Sequence, residues 1–361
     1  MHRCMADVLT RSPAWIRWMV LVLLSAVFSF AWATVGLPAS LLLGPMVAGI
    51  VLGANGVRLS VPRPAYLSAQ ATIGAMVSAS ITPAIVAMFA QHWLLFTAVV
   101  LATLLGGAAL GWLLSRWGLI AGPTAVYGTS PGAAAAMVLQ AEANGADMRL
   151  VAFMQYLRVL MVVTTCALVA RFWAGDAGVH PPGAPWGAAV DWGHLALLVL
   201  LAGLSQQAAR RLRVPAWGLL GPMIVLSALH ATGVLEIELP RWLLAAAYAL
   251  LGWSIGLTFR RDVLLHAWRS VPVVAGAAAC LILFCAALGG CLMLAAKVDA
   301  LTAYLATSPG GLDSVAVIAA STPQVDLPFV LALQSLRLVF AIAAAPLIAR
   351  LVVRYSPHLR R

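Results

Sequence analysis

The stretch Thr307–Val339, "TSPGGLDSVAVIAASTPQVDLPFVLALQSLRLV", carries polar and helix-breaking residues into an otherwise apolar chain. Proline removes a helical hydrogen bond and clashes with the preceding turn, so Pro309-Gly310 interrupts any helix laid through it. Asp313, Asp326, Gln334 and Arg337 then follow. An earlier stretch, "TSPGAAAAMVLQAEANGADMRLVAFMQYLRVL" from Thr129 to Leu160, repeats the pattern with Asp147, Gln155 and Arg158.

Around these two stretches the repeat extends over nearly the whole chain. "LPASLLLGPMVAGIVLGANGV" (Leu37–Val57) matches "VPAWGLLGPMIVLSALHATGV" (Val214–Val234) at a constant offset of 177. "VPRPAYLSAQATIG" then matches "LPRWLLAAAYALLG" at 178, pairing Pro62 with Pro240 and Gly74 with Gly252. Thr-Ser-Pro-Gly recurs at 178, and Asp147/Asp326, Gln155/Gln334 and Arg158/Arg337 pair at 179. This is an internal duplication.

Composition sets the class. Of 361 residues, 63% are hydrophobic and 9% charged, with a mean hydropathy of +0.98. Soluble domains run near a quarter charged, and runs of about 20 apolar residues are long enough to cross a bilayer. The expectation is an all-α polytopic membrane protein. Its net charge of +11 fits Arg- and Lys-rich cytoplasmic loops better than direct nucleic-acid contact. Five cysteines show no metal spacing and read as small core residues. "AWA" at 31–33, after an arginine-bearing start and an apolar run, mimics a cleaved signal peptide. A retained first helix is preferred, because a similar run (192–209) precedes the second copy.

Each half can be drawn with six apolar segments, in the first half near 17–33, 38–57, 65–88, 92–114, 118–141 and 148–173. The fifth, broken by Gly122-Pro123 and Ser130-Pro131-Gly132, is either a broken crossing helix or a re-entrant hairpin. If it is re-entrant, each half crosses five times and the second half is inverted. Of 22 Lys and Arg, only Arg171, Arg241 and Lys297 then lie outside, with Arg158 and Arg337 in the membrane. That balance favours an inverted internal repeat of about ten transmembrane helices plus two re-entrant or broken helical hairpins, with both termini cytoplasmic. The expected organisation is a tail (1–16), repeat 1 (17–173), a Gly/Pro-rich linker (174–191), repeat 2 (192–352) and a basic tail (353–361). Inverted repeats with discontinuous helices are a transporter architecture, with substrate near the midplane.

The candidate site residues come from the duplicated motif. Arg158 and Arg337 fall near the middle of apolar runs, where a charge costs roughly 2.5–3.5 kcal/mol on insertion scales. Each is either a ligand-facing cation or a clamp on hairpin carbonyls. Gln155 and Gln334 lie one helical turn earlier on the same face, suited to a helix–helix hydrogen bond or a ligand contact. Thr129, Ser130, Pro131, Gly132 and Thr307, Ser308, Pro309, Gly310, Gly311 form the hairpin tips. Half-helix N-termini there attract anions, or the Pro-Gly merely turns the chain while the hydroxyls satisfy backbone. Asp313 faces Ala135 in the alignment of the halves, so only one tip carries an acid. It is a candidate for Na⁺ or H⁺, or a partner for an arginine. Asp147 and Asp326 suit helix capping, and Glu142 stands near a segment end. The Gly-Pro-Met segments read as packing kinks. The histidines do not converge on a metal set, and no nucleophile elbow, phosphate loop or dinucleotide fingerprint is present. No cofactor and no metal are expected, and the chain does not read as an enzyme.

The duplicated "LLGPM" and "TSPGG…D…Q…R" blocks resemble the AbrB family of bacterial integral membrane proteins, over about residues 20–350. The second copy is the closer match, since the first has Ala133 where the second has Gly311. The resemblance implies an inner-membrane protein connected with regulation of gene expression, and some relatives carry an ammonia monooxygenase label. Monooxygenase chemistry needs a cofactor and ligands to hold it, and the sequence offers neither.

Two functions from different classes fit. One is a secondary transporter of a small anionic metabolite coupled to H⁺ or Na⁺. The other is a regulatory or sensory membrane protein that binds a ligand and affects gene expression indirectly. A membrane monooxygenase is a distant third. The expected partners are the lipid bilayer and a small molecule, and a homo-oligomer is compatible with either reading.

Overall fold

The computed structural model describes residues 12–79, 81, 93–130, 137–138, 141–142, 145–174, 190–214 and 216–355. The described residues form helices joined by short turns, with no strand among them. In chain order these are α1 (Ala14–Thr34), α2 (Ser40–Ala54), α3 (Arg63–Ser78), α4 (Trp93–Arg116), α5 (Gly122–Thr129) and α6 (Met148–Ala174). The second half contributes α7 (Trp192–Arg211), α8 (Trp217–Ala231), α9 (Arg241–Gly256) and α10 (Arg261–Ala267). It continues with α11 (Val271–Ala296), α12 (Ala300–Thr307), α13 (Leu312–Ala320) and α14 (Leu327–Tyr355).

Four of the described helical stretches are long and apolar enough to cross a membrane: Ala14–Thr34, Trp93–Arg116, Met148–Trp173 and Arg261–Ala296. Ser40–Ala54, Trp217–Ala231 and Leu327–Ala341 are shorter apolar helices. Large apolar side chains such as Phe30, Phe172, Leu283 and Leu294 are exposed on the helix surfaces. In water that exposure would be costly; against lipid tails it is the ordinary condition.

Two compact units are present, and each takes segments from both sequence repeats. The first comprises Met1–Ala90, Ala167–Arg261 and Asp313–Pro328. Within it α1 packs on α2 and α2 on α9, while the repeat-related α7 packs on α8 and α8 on α3. The recurring residues explain why. A Cβ on Gly74 would lie 2.7 Å from the Leu219 carbonyl oxygen and 3.1 Å from Pro222 Cβ. A Cβ on Gly252 would lie 2.5 Å from the Leu42 carbonyl oxygen and 3.0 Å from Pro45 Cβ. The Gly and Gly-Pro positions that recur in sequence are therefore the two sides of one helix crossing, made twice. Small residues let backbones approach closely, which is how helices associate where lipid removes the hydrophobic drive. Pro45 and Pro222 sit inside α2 and α8, and Ala39 and Ala216 precede these helices in the left-handed region at φ 56° and 47°. Around Leu21, Ala48, Leu52 and Leu257 the core is closed by Trp18 and Trp253, whose rings meet edge-on at 5.7 Å.

The second unit comprises Gln91–Cys166, Asp262–Leu312 and Phe329–Arg361. Here α4 packs on α5 and its counterpart α11 on α12. Gly111 lets α5 in so closely that a Cβ would stand 2.6 Å from Thr129 Oγ1, and Gly289 does the same for Thr307 Oγ1 at 2.9 Å. Helices α5 and α12 have eight residues each, a rise of about 12 Å. Neither can cross a bilayer alone. Both stop at Thr-Ser-Pro-Gly, as proline dictates. Beyond the second break α13 takes up the chain for nine residues; Pro131 and Gly132 lie outside the described residues.

Candidate functional site

A helix leaves its last carbonyls without intrahelical donors. Where α5 and α12 end inside the protein, those carbonyls need partners, and the duplicated Gln-x-x-Arg supplies them. On α6, Gln155 Nε2 donates to the carbonyls of Tyr127 (2.5 Å) and Ser130 (3.0 Å), and Arg158 Nη1 donates to Ser130 (2.8 Å). On α14, Gln334 Nε2 donates to the carbonyls of Leu305 (2.8 Å) and Ser308 (3.1 Å). Arg337 Nη1 donates to Ser308, while its Nη2 donates to Gly310 (2.9 Å) and to Gln334 Oε1. The spacing of three places glutamine and arginine on one helical face. Each cation thus meets the negative end of a half-helix dipole.

All four side chains are buried, Arg158 at 3% and Arg337 at 5% exposed. Their hydrogen-bond partners are carbonyls and a glutamine rather than carboxylates. The two guanidinium groups lie within electrostatic reach of each other and of the Cys285 thiol. The Cys166 thiol lies close to Ser308 and Tyr304.

The tip hydroxyls turn inward on their own helices. Thr129 donates to the Gly107 and Ala125 carbonyls, both at 2.9 Å, and Ser130 to Val126 at 2.7 Å. Thr307 donates to Ala303 (3.0 Å) and Ser308 to Leu305 (2.8 Å).

The two copies differ in how the glutamine and arginine are satisfied. Among the described residues, Arg158 Nε and Gln155 Oε1 are buried without a hydrogen-bond partner. In the second copy the corresponding glutamine oxygen accepts from Arg337. A small cavity borders Arg158, lined also by Gly128, Thr129, Met154, Leu110 and four residues of α11: Val274, Ala277, Ala278 and Leu281. About 10 Å³ is open to the centre of a water-sized guest, which is room for roughly one water.

Asp313 belongs to the first unit, in the first turn of α13. Its Oδ2 accepts from Gln70 Nε2 (3.1 Å) and Tyr66 hydroxyl (3.3 Å), both on α3, and Gln70 also donates to Tyr66 (3.2 Å). Neither Tyr66 nor Gln70 belongs to the duplicated motif. A glutamine inside an otherwise apolar segment is the signal that marks them in the sequence.

Asp147 caps α6, accepting from the N–H groups of Arg149 (3.0 Å) and Leu150 (3.1 Å). Its other oxygen meets His266 Nε2 at 2.8 Å, and its own N–H donates to Thr124 Oγ1 at 3.1 Å. Partial burial pushes the Asp147 carboxyl up, but the His266 and Leu150 hydrogen bonds and the charge of His266 outweigh it and hold the group below its ordinary value. Glu142 is exposed. Among the described residues no group of three or more His, Cys, Asp or Glu stands together as a metal-holding set.

Comparison with known proteins agrees with the duplicated motifs. The family profile described as "Transition state regulatory protein AbrB" matches residues 41–353. The chain is 43% identical over 343 residues to the "Putative regulator AbrB" of Escherichia coli (strain K12), covering 95% of this chain and 98% of that protein. With apolar spanning helices, a duplicated helix-breaking motif and these matches, the chain belongs to the AbrB family.

Proposed function

We propose that the protein is a secondary transporter of a small anionic metabolite, coupled to H⁺ or Na⁺. It would sit in the cell inner membrane with about ten crossings, inverted repeats and both termini in the cytoplasm. One observation carries the reading: the Arg158 guanidinium is buried among apolar helices at the end of a broken one, with its Nε–H unpartnered among the described residues. Placing a cation there is expensive, and intramembrane ionisable residues with that cost mark ligand or ion pathways. The two broken helices held by Gln-x-x-Arg are the discontinuous elements such carriers use around substrate. Asp313, which accepts from the neutral donors Gln70 and Tyr66, is the candidate for the coupling ion.

A second reading has its own support. The relative from Escherichia coli is named a regulator, and the same pocket would serve a protein that binds without carrying. Reconstitution in liposomes separates the two. Uptake of labelled metabolite anions, abolished in a well-inserted Arg158→Gln variant, is the expected result. Binding without flux would refute carriage and leave the regulatory reading. For the topology, cysteines placed at 183 and 358 are expected to label from opposite sides; labelling from one side would remove the inverted arrangement.

A further inference from the structure

Around Asp313 the two copies of the repeat act as each other's control. Asp313 Oδ2 accepts from Gln70 Nε2 (3.1 Å) and from the Tyr66 hydroxyl (3.3 Å). A Cβ on Gly218 would stand 2.2 Å from Gln70 Oε1, so that glycine makes room for the carboxamide. Gln206 Nε2 donates to the carbonyls of Leu67 (2.9 Å) and Gly218 (2.7 Å), fastening α7 to both helices. At the repeat spacings, the residues matching Asp313, Tyr66, Gln70 and Gly218 are Ala135, Leu244, Tyr248 and Leu41. The Tyr248 hydroxyl meets Met76 Sδ instead, at 3.1 Å. One copy thus does without the acid, its two donors and the glycine together, so this set is not what builds the repeat.

We infer that Asp313 is a proton-binding site, with Gln70 and Tyr66 as its positioning residues, and that the cation it takes is H⁺ and not Na⁺. As a coupling site it rests on the proposed carriage; as a proton site it does not.

Asp313 is half-buried in the first turn of α13, beside the buried Leu312, Ser314 and Val315. A carboxylate drawn out of water without a cation is costly, and the usual relief is to take up a proton. Among the described residues no Lys or Arg pairs with it. Asp313 is the one ionisable residue of α13, and α3 offers Tyr66 and, one turn nearer its start, the exposed Arg63. Of the helices packed on α3, α8 has His230 in its last turn and α9 has Arg241 and Tyr248. Helix α7 has His194 at its start and Arg210 and Arg211 at its end, with Arg210 over the Trp217 ring at 5.8 Å.

Hard cations take several oxygen ligands, and at broken helices these come from unwound carbonyls and half-helix C-terminal ends. Asp313 stands at the opposite end. The first turn of α13 presents N–H groups, where a cation is disfavoured, and Gln70 and Tyr66 also arrive as donors. A proton needs no such cage. It bonds to Oδ1, the oxygen that neither Gln70 nor Tyr66 engages, and both bonds to Oδ2 stay in place. The proton comes from water and returns to it, and no other covalent bond changes. Once the carboxyl is neutral those two bonds lose their charge assistance, about a factor of two in strength, so the contact of α3 with α13 loosens as the site fills.

The test is an infrared pH titration of the full-length protein in lipid bilayers, taken as the difference between wild type and Asp313→Asn so that the other carboxyls cancel. Wild type should gain a carboxylic-acid C=O band and lose a carboxylate band, with a midpoint between about pH 5 and 9. Gln70→Leu removes a donor that favours the ionised form and should move the midpoint up by about one pH unit. Tyr66→Phe should move it the same way by less, and carries the test if Gln70→Leu does not fold. Residues that only tether two helices would give no such shift. If Asp313→Asn does not fold, Asp313→Ala, the residue at the matching position, replaces it. Exchanging sodium for choline at constant ionic strength should leave the midpoint where it is. An acid band absent until below about pH 5, a band retained in Asp313→Asn, a midpoint unmoved by the donor variants, or one falling by about a unit per tenfold rise in Na⁺ would overturn the inference. Titration with no solute flux in liposomes upholds the proton site while refuting carriage. Flux driven by a Na⁺ gradient, with no acid band, does the reverse.

Discussion

Replacing Gly252 by alanine tests the duplicated helix crossing directly. The new methyl would stand 2.5 Å from the Leu42 carbonyl oxygen, 2.9 Å from Met46 N and 3.0 Å from Pro45 Cβ. Ordinary contact begins near 3.4 Å, so about 0.9 Å of relief is required, and two of the three obstacles are backbone. Helix α9 must move off α2, and a gap of about 0.5–1 Å forfeits a quarter to a half of each contact along the seam. Overpacking of this kind costs about 1–3 kcal/mol. Gly276, in α11, is the control: a Cβ there meets nothing within 4 Å, and alanine should gain about 0.5–1 kcal/mol of helix propensity. The propensity gain is common to both helical positions, so the two variants should differ by roughly 1–3 kcal/mol, with Gly252→Ala melting lower in the same detergent. Gly74→Ala, facing the Leu219 carbonyl, should follow Gly252→Ala in direction. A Gly252→Ala protein melting with or above Gly276→Ala would refute the close crossing.

Three further outcomes are expected. Arg337→Gln strips the donor from the Gly310 carbonyl and from Gln334 Oε1, a loss of roughly 2–5 kcal/mol. Arg158→Gln should cost less, since the Ser130 carbonyl keeps Gln155; thermal melting of both variants checks the order. Asp147→Ala removes the α6 cap and should cost about 1 kcal/mol, whereas Asp147→Asn should cost less. Because the folded Asp147 carboxyl lies below its ordinary value of 3.8, its stabilisation is complete above that value. It is lost as pH falls through the depressed folded one, so Asp147→Asn should flatten the acid limb of a melting-temperature profile. Lys297 ends α11 in the left-handed region at φ 53° and is exposed, so Lys297→Gly should raise stability by about 1 kcal/mol in the same melting assay.

Much of the molecule is legible in the chain because it is local. Apolar runs declare lipid-facing helices, and the Pro-Gly pairs in the two Thr-Ser-Pro-Gly motifs mark where a helix is expected to break. The duplication is visible as identity at a fixed spacing, so Gly74/Gly252 and Pro45/Pro222 pair from the sequence alone. What they pair for is not visible there. Gly74 answers Pro222 and Gly252 answers Pro45, each across the repeats, and sequence spacing holds no record of which helix lies opposite. The Gln-x-x-Arg motif implies one shared helical face but not its target. Anion-attracting N-termini suggest the tips as the site, whereas the arginines and glutamines reach the carbonyl ends of the preceding half-helices.

Class, repeat and points of breakage are thus written in the residues themselves, because hydropathy and proline act within a few positions along the chain. That Arg337 reaches Ser308, Gly310 and Gln334, that Arg158 Nε has no partner among the described residues, and that Asp313 answers to Tyr66 and Gln70, emerges on folding alone. Those outcomes depend on distances between residues far apart in sequence, where an ångström separates a satisfied hydrogen bond from an open one.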